Sequence, residues 1–173
     1  MNKTYVGIDI GKAGAIAIME HKDGGSEIHT VPMPMIKNEV DYVELSDMLR
    51  DIRVAYSCNV HIVFEKLGVI FGTGKSTAFS MGHQAGAIEM GCIAHTLSYT
   101  KVRAVDWQKQ MLMGVDEICK PNSSKRDTKA MALVAIKRIF PNLELTFGVK
   151  AKKPHDGLVD AVLMAEYARR NNL

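Results

Sequence analysis

The sequence is short of several things, and each shortage excludes a class of protein. Cysteine occurs three times, at Cys58, Cys92 and Cys119, far apart and without a CxxC pair. Neither a disulfide framework nor a zinc knuckle is expected. Each cysteine reads instead as a small buried hydrophobe in a reducing, cytosolic setting. No apolar run approaches the roughly 20 residues that a membrane span needs, so no membrane association is expected. The N-terminus enters a strand pattern directly, and no secretory signal is expected. A complete phosphate loop is missing too. FGTGKST (71–77) ends like one, but the position five before Gly74 is Val69, a β-branched residue unsuited to a tight positive-φ turn. No acid-bearing strand is placed to hold that loop's magnesium. A nucleotide cofactor is therefore not expected. Repeats, low-complexity tracts and linkers are absent, so the 173 residues are expected to form a single domain, 1–173.

Charge is present but lopsided. Residues 1–100 hold 8 Lys/Arg against 11 Asp/Glu, whereas residues 101–173 hold 14 against 8. A basic second half suits a phosphate-rich partner, although a solvated surface would look the same by charge alone.

Patterning predicts strands over TYVGIDI (4–10), AGAIAIME (13–20) and SEIHTVP after Asp23-Gly24-Gly25, which together read as an antiparallel meander. Asp41 is placed to cap a helix through Tyr56, with Tyr42, Leu45, Met48, Leu49 and Ile52 at helical spacing. HIVFEK (61–66) reads as a buried strand, followed by a long helix from Ser76. LSYTKVRAV reads as a strand and VDWQKQMLM as a short helix. A basic helix, capped by Ser123 or Ser124, should run to Phe140 and stop at Pro141. A last helix is predicted from His155 to Arg170. The order predicts an α/β fold, a mixed sheet flanked by helices.

The informative residues are acids inside apolar elements. Asp9 interrupts YVGIDIG, Glu65 closes HIVFE, and Asp156 and Asp160 lie one turn apart on one face of an otherwise apolar helix. An unpaired buried carboxylate costs several kcal/mol, and clustering adds like-charge repulsion. Near Asp9 and Glu65 in sequence, Lys12 and Lys66 alone supply positive charge. A divalent metal is favoured over structural ion pairs. All-oxygen ligands without His or Cys select magnesium or manganese. Two such ions about 4 Å apart suit in-line displacement at a phosphodiester, one activating water and the other stabilising the leaving oxygen. The basic half then holds the phosphate backbone.

Strand-borne GIDIG, the FEK acid, the FSMGHQAGA helix and the terminal DGLVDAVLMAE together resemble the RuvC-type Holliday junction resolvases, especially the compact phage and poxvirus branch. The resemblance runs through most of the chain in the family's order. It implies a ribonuclease H-like fold with a central mixed five-stranded sheet. It implies a homodimer cutting two opposed strands of a four-way DNA junction, and a magnesium-dependent nuclease with four acidic ligands (manganese substituting). Location would be cytoplasmic, in the host cytoplasm for a phage-encoded chain. Carried over, Asp9 bridges two metals, Glu65 joins from the neighbouring strand, and Asp160 with Asp156 completes the set. Some members space the two helix acids three apart, where this chain has Gly157, and others place an acid four before, as Asp156 stands here. His155 is either an accessory ligand or water activator, or a helix cap.

The resemblance also places Lys109, five before Gly114, and Lys125, opening the next helix, as catalytic lysines that meet DNA. Arg126 and Lys129 either join them on phosphate or lie on a solvated face. The 71–75 stretch becomes a DNA-probing loop, with Lys75 on phosphate and Phe71 either wedged at an unpaired base or simply core. Gly82 and Gly86 leave the helix behind it able to approach a sheet or partner closely, and that helix is the implied dimer surface. Trp107 reads as packing. The same acids also serve nucleases for hybrids or flaps. The opening VGIDIGKAGAIAIM is shared with actin-like and sugar-kinase ATP-binding proteins, which are longer and repeat the fold. A catalytically dead DNA-binding module is a further alternative, disfavoured because all four acids are present.

Overall fold

The structure, a computed structural model, describes residues 3–22, 25–56, 59–68, 74–148 and 151–173. Cys58, the turn at Asp23-Gly24, and Phe71 with Gly72 and Thr73 lie outside the described residues. The expected meander is present as β1 (Lys3–Ile8), β2 (Ala15–Lys22) and β3 (Gly25–Pro32), paired antiparallel. A small hairpin that patterning missed follows, β4 (Met35–Ile36) and β5 (Glu39–Val40). Its turn residues Lys37 and Asn38 have φ of 47° and 63°, the left-handed pair that a tight two-residue hairpin demands. Only Asn38 advertises that in sequence.

Helix α1 (Tyr42–Tyr56) begins where Asp41 predicted, with Asp41 Oδ1 accepting from the amides of Val43 and Glu44 at 3.0 and 3.1 Å. Strand β6 (Val60–Glu65), helix α2 (Lys75–Ala94), strand β7 (Ser98–Val102) and helix α3 (Ala104–Met111) follow in the expected order. Helix α4 (Thr128–Ile139) starts later than predicted. Ser123 and Ser124 do not cap it; Asp127 does, accepting from Ala130 N. Residues 118–127 are spent on a tight reversal instead. Asn122 is at φ 57°, Cys119 bridges Arg126, and the amides of Lys120 and Asp127 bond Lys125 O and Ile118 O. Lys125 and Arg126 therefore precede the helix, and the lysine of its first turn is Lys129. Helix α5 (Asp156–Arg170) closes the chain.

The five strands are ordered β3-β2-β1-β6-β7, with β1/β6 and β6/β7 parallel. β1 is central, as its apolar run predicted. Side-chain alternation divides the core. Val6 and Ile8 join Ile62, Phe64, Leu49, Ile88 and Cys92 under α1 and α2. Tyr5 joins Met19, Val63, Trp107 and most of α5 on the other face. Of the cysteines, Cys92 is buried as expected, its thiol pushed up to about 12 by burial. Cys119 is exposed because it sits in the reversal before α4, outside either core.

Gly7 sets the spacing of sheet and last helix. A Cβ there would collide with the carbonyl oxygen of Ala161 and lie 2.8 Å from the amide nitrogen of Ala165. Its absence lets the α5 backbone lie directly on β1. The acids gather where that contact ends.

Candidate metal centre

Asp9 and Glu65 meet through strand register. Ile8 pairs with Phe64, so Asp9 and Glu65 are the next position at the C-terminal edges of two parallel strands. Alternation turns both toward α5, on the side of Gly7 and Val63. The α5 helix, pressed onto Gly7, supplies Asp160 just before Ala161. One turn earlier, Gly157 packs against the same point: a Cβ there would meet the carbonyl oxygen of Ala13 and lie 2.8 Å from Asp9 Oδ2. The position three before Asp160 is thus closed to any side chain. The helix's second acid stands at Asp156, exposed beside the cluster.

The charges feel one another. Burial first, then Asp160 and Glu65, push Asp9 from 3.8 to about 8. Burial, then Glu65 and Asp156, push Asp160 up to about 7. Among the described residues one cation opposes them. Lys129 Nζ donates to Asp156 Oδ2 at 2.6 Å and draws Asp9 and Asp160 downward. Lys12, the cation nearest Asp9 in sequence, instead donates to Asn38 O at 2.6 Å. Rise from 3.8 to about 8 corresponds to roughly 6 kcal/mol of preference for the neutral acid at Asp9. That preference is what remains after the attraction of Lys129, so this lysine does not offset it.

Another acid on α5 makes the contrast. Glu166 is 2% exposed, and Arg169 and Arg170 each donate to it at 2.7 Å. Burial raises its pKa, but those bonds outweigh burial and hold it below the usual value. Where this fold buries an acid for structure it supplies arginines. At Asp9 and Asp160 it supplies none.

The donor set at this end is carboxylate oxygen throughout, which fits a hard divalent cation. Among the described residues, no three of these four acids bring one oxygen each within 4.8 Å of one another. The group that does is Glu20, Glu27 and His29 on β2 and β3, where Lys22 already bridges the carboxylates at 3.2 and 2.8 Å.

Trp107 does more than pack. It is fully buried, and its Nε1–H donates to Glu65 Oε1 at 2.9 Å, fixing that carboxylate from behind. An indole one turn into a helix after β7 carries no sequence mark of this partnership. His155 caps α5, its Nδ1 accepting from Leu158 N at 3.2 Å with the ring edge-on to Phe147. Lys129, Lys153, Asp156 and Asp160 line a groove of about 330 Å³ beside the acids. Lys153, in the loop before α5, was not singled out by sequence. Lys109 and Arg126 line a second groove of about 320 Å³ between α3 and the start of α4, and Lys125 is exposed nearby in sequence. Lys75 is exposed at the first residue of α2. Among the described residues nothing lies within 4 Å of where a Cβ at Gly82 or Gly86 would stand.

No protein-family model and no curated protein matches the sequence. Solved structures do match. RuvC of Thermus thermophilus in complex with a Holliday junction substrate superposes with a TM-score of 0.64 at 13% identity, over 98% of this chain and 94% of that one. A second Thermus thermophilus RuvC structure gives 0.57 at 15% identity, over 98% and 96%. The yeast mitochondrial Holliday junction resolvase gives 0.56 at 10% identity, over 97% and 78%. The fold is the α/β, ribonuclease H-like fold of these proteins.

Proposed function

We propose that this chain, as a single nuclease domain over 1–173, is a structure-selective DNA endonuclease that hydrolyses phosphodiesters at four-way junctions. In that it would resemble the compact phage and poxvirus branch of the RuvC-type resolvases. The observation that carries the reading is the gathering of Asp9, Glu65 and Asp160 from three remote segments, unpaired by arginine, at one edge of a ribonuclease H-like sheet. Asp9, Glu65, Asp160 and Asp156 are the residues to hold magnesium (or manganese) as a pair of ions. Bound there, the metal supplies Lewis acidity at the phosphoryl group and lowers the pKa of water.

The chain's own residues do the rest. Trp107 holds Glu65 in one orientation through its N–H. Asp9 and Asp160 are repelled by their neighbours in the ionised state, so their affinity for a cation exceeds that of ordinary carboxylates once deprotonated. Lys129 neutralises Asp156 and stands with Lys153 in the groove where a phosphate would enter. Lys109, Lys125 and Arg126 would contact the flanking backbone and Lys75 a phosphate at the crossover, where Phe71, outside the described residues, would probe an unpaired base. His155 serves as a cap in this reading.

A junction needs two cuts. Of α2, only Gln84, Ile88 and Cys92 are buried, while Phe79, Met90 and Ile93 are exposed and Gly82 and Gly86 are bare. That apolar face suits a second copy of the chain, giving a homodimer with paired centres.

Purified protein with labelled four-way, flap, hybrid and linear substrates in magnesium tests the proposal. Paired nicks in the four-way junction, abolished by chelator, are expected. Preference for hybrid or flap would reassign the substrate, and inertness on every branched DNA would end the reading.

A further inference from the structure

Asp9 and Ile10 are neighbours in the chain and face opposite sides of the sheet. Asp9 turns toward α5, whereas Ile10 belongs to the core under α1 and α2 and lines a cavity of about 610 Å³ there. The groove that holds Lys129 and Lys153 opens on the α5 side. Two hollows therefore flank the acids, one on each face of the sheet edge, and the chemistry above uses only one of them.

The lining of the second hollow favours an anion. Lys12, Ser76, Thr77 and Ser80 line it, all of them donors, and Glu39 is the one carboxylate on its wall. Asp41, the next acid along the chain, is turned instead to the amides that open α1. Lys12 comes from the turn after β1, and its Nζ is steadied by donating to Asn38 O in the β4–β5 hairpin at 2.6 Å. That single bond leaves the other donors of the ammonium free. Ser76 and Thr77 are exposed, and among the described residues their hydroxyls are bonded to nothing. Two more exposed lysines adjoin the cavity in the chain, Lys37 beside Asn38 and Lys75 beside Ser76, and neither forms an ion pair among the described residues. Ammonium and hydroxyl donors arriving from separate elements suit an ion with several acceptor oxygens. A strand lying across Asp9 brings such an ion with it, its own phosphate. Lys12 follows Asp9 by three residues, at most about 11 Å along the chain, so a phosphate held there is only a few nucleotides from the cut.

We propose that this cavity seats a backbone phosphate of the cleaved strand on Lys12, Ser76 and Thr77, on the far side of the cut from the Lys129–Lys153 groove. The strand then crosses the sheet edge pinned on both sides of the bond that breaks, which holds the reacting phosphate in line over the acids. The inference rests on the nuclease reading and gives Lys12 a positioning role in it.

The test uses the full chain and four-way junctions in which neutral methylphosphonate linkages replace the phosphates around the cut, one at a time. Affinity is measured in chelator and cutting in magnesium. One linkage, across the cut from the one that answers to Lys153→Met, should weaken wild-type binding about tenfold. Lys12→Met should lose the same factor on the unmodified junction and no longer respond to that linkage. Its slope of log affinity against log salt should fall by about one. Lys12→Arg should restore the response, and Ser76→Ala with Thr77→Val should reduce it about fivefold at that linkage alone. Thermal melts and size-exclusion profiles accompany each variant. A Lys12→Met protein that still responds to every linkage overturns the inference. So does an equal loss at all linkages with a lowered melting temperature, which would make Lys12 a brace for the hairpin and nothing more. Conversion to a monomer overturns it too, because the second copy would then fill the cavity. Stabilisation of the DNA-free chain by inorganic phosphate through Lys12, with no linkage effect, would assign the cavity to a free anion instead. Junctions bound and cut without a Lys12-dependent linkage refute the cavity alone, whereas absence of any branched-DNA binding refutes the nuclease reading with it.

Discussion

Trp107 and Gly157 show how single residues shape the centre. The Trp107 N–H reaches Glu65 from inside the core, so Trp107→Phe keeps most of the packing and loses only the donor. Cleavage should fall about 10- to 100-fold, the usual effect of removing a ligand's orienting partner, with a loss in unfolding free energy of about 1–2 kcal/mol. Unchanged kinetics would assign Trp107 to packing alone. Gly157 closes the position three before Asp160. Gly157→Ala should destabilise by roughly 3 kcal/mol, because backbone and not a flexible side-chain tip stands in the way. An unaltered melting temperature would contradict that close approach. Titration supplies another residue-scale check. Asp9 and Asp160 have folded pKa values of about 8 and about 7, above the ordinary 3.8. The folded chain therefore holds more protons than the unfolded chain between these limits. Their contribution to stability is complete below about pH 4 and is lost as pH rises through 7 and 8. In chelator, the melting temperature should fall from pH 5 to pH 9, with a shallower slope in Asp9→Asn. A rise over that range, or an identical slope, would contradict the burial of these acids.

Among the elements, α2 carries the clearest expectation. It is a 20-residue helix with one narrow buried row and exposed Met90 and Ile93 on its remaining surface. Met90→Glu with Ile93→Glu should convert a dimer to a monomer by light scattering while leaving the fold's circular dichroism intact. A monomeric wild type would remove α2 as an interface. Elements were unevenly legible in the sequence. Strong periodicity gave β1, β2, β6, α1 and α5 within a few residues, since burial and local propensity agree there. The β4–β5 hairpin was invisible because each strand has two residues and its turn uses Lys37 at a positive φ. The start of α4 was misread because Ser123 bonds Lys125 N in a turn, a role that looks the same in sequence as a helix cap.

For the whole molecule, the convergence of Asp9, Glu65 and Asp160 was legible because a carboxylate in an apolar run is costly wherever the chain goes, whereas Asp156 is exposed and carries no such cost. The partners of these acids were not legible. Lys129 and Trp107 reach the centre through packing of α4 and α3 against α5, a long-range consequence that no local pattern records. What the fold does with this edge is concentrate negative charge that Lys129 leaves largely unbalanced. The most direct measurement is calorimetric titration of manganese into the chelator-stripped protein, its Asp9→Asn variant and its Asp160→Asn variant. The account predicts saturable binding to the wild type and a loss of at least tenfold in affinity in each variant. Equal binding by all three proteins, or none by the wild type, would contradict it.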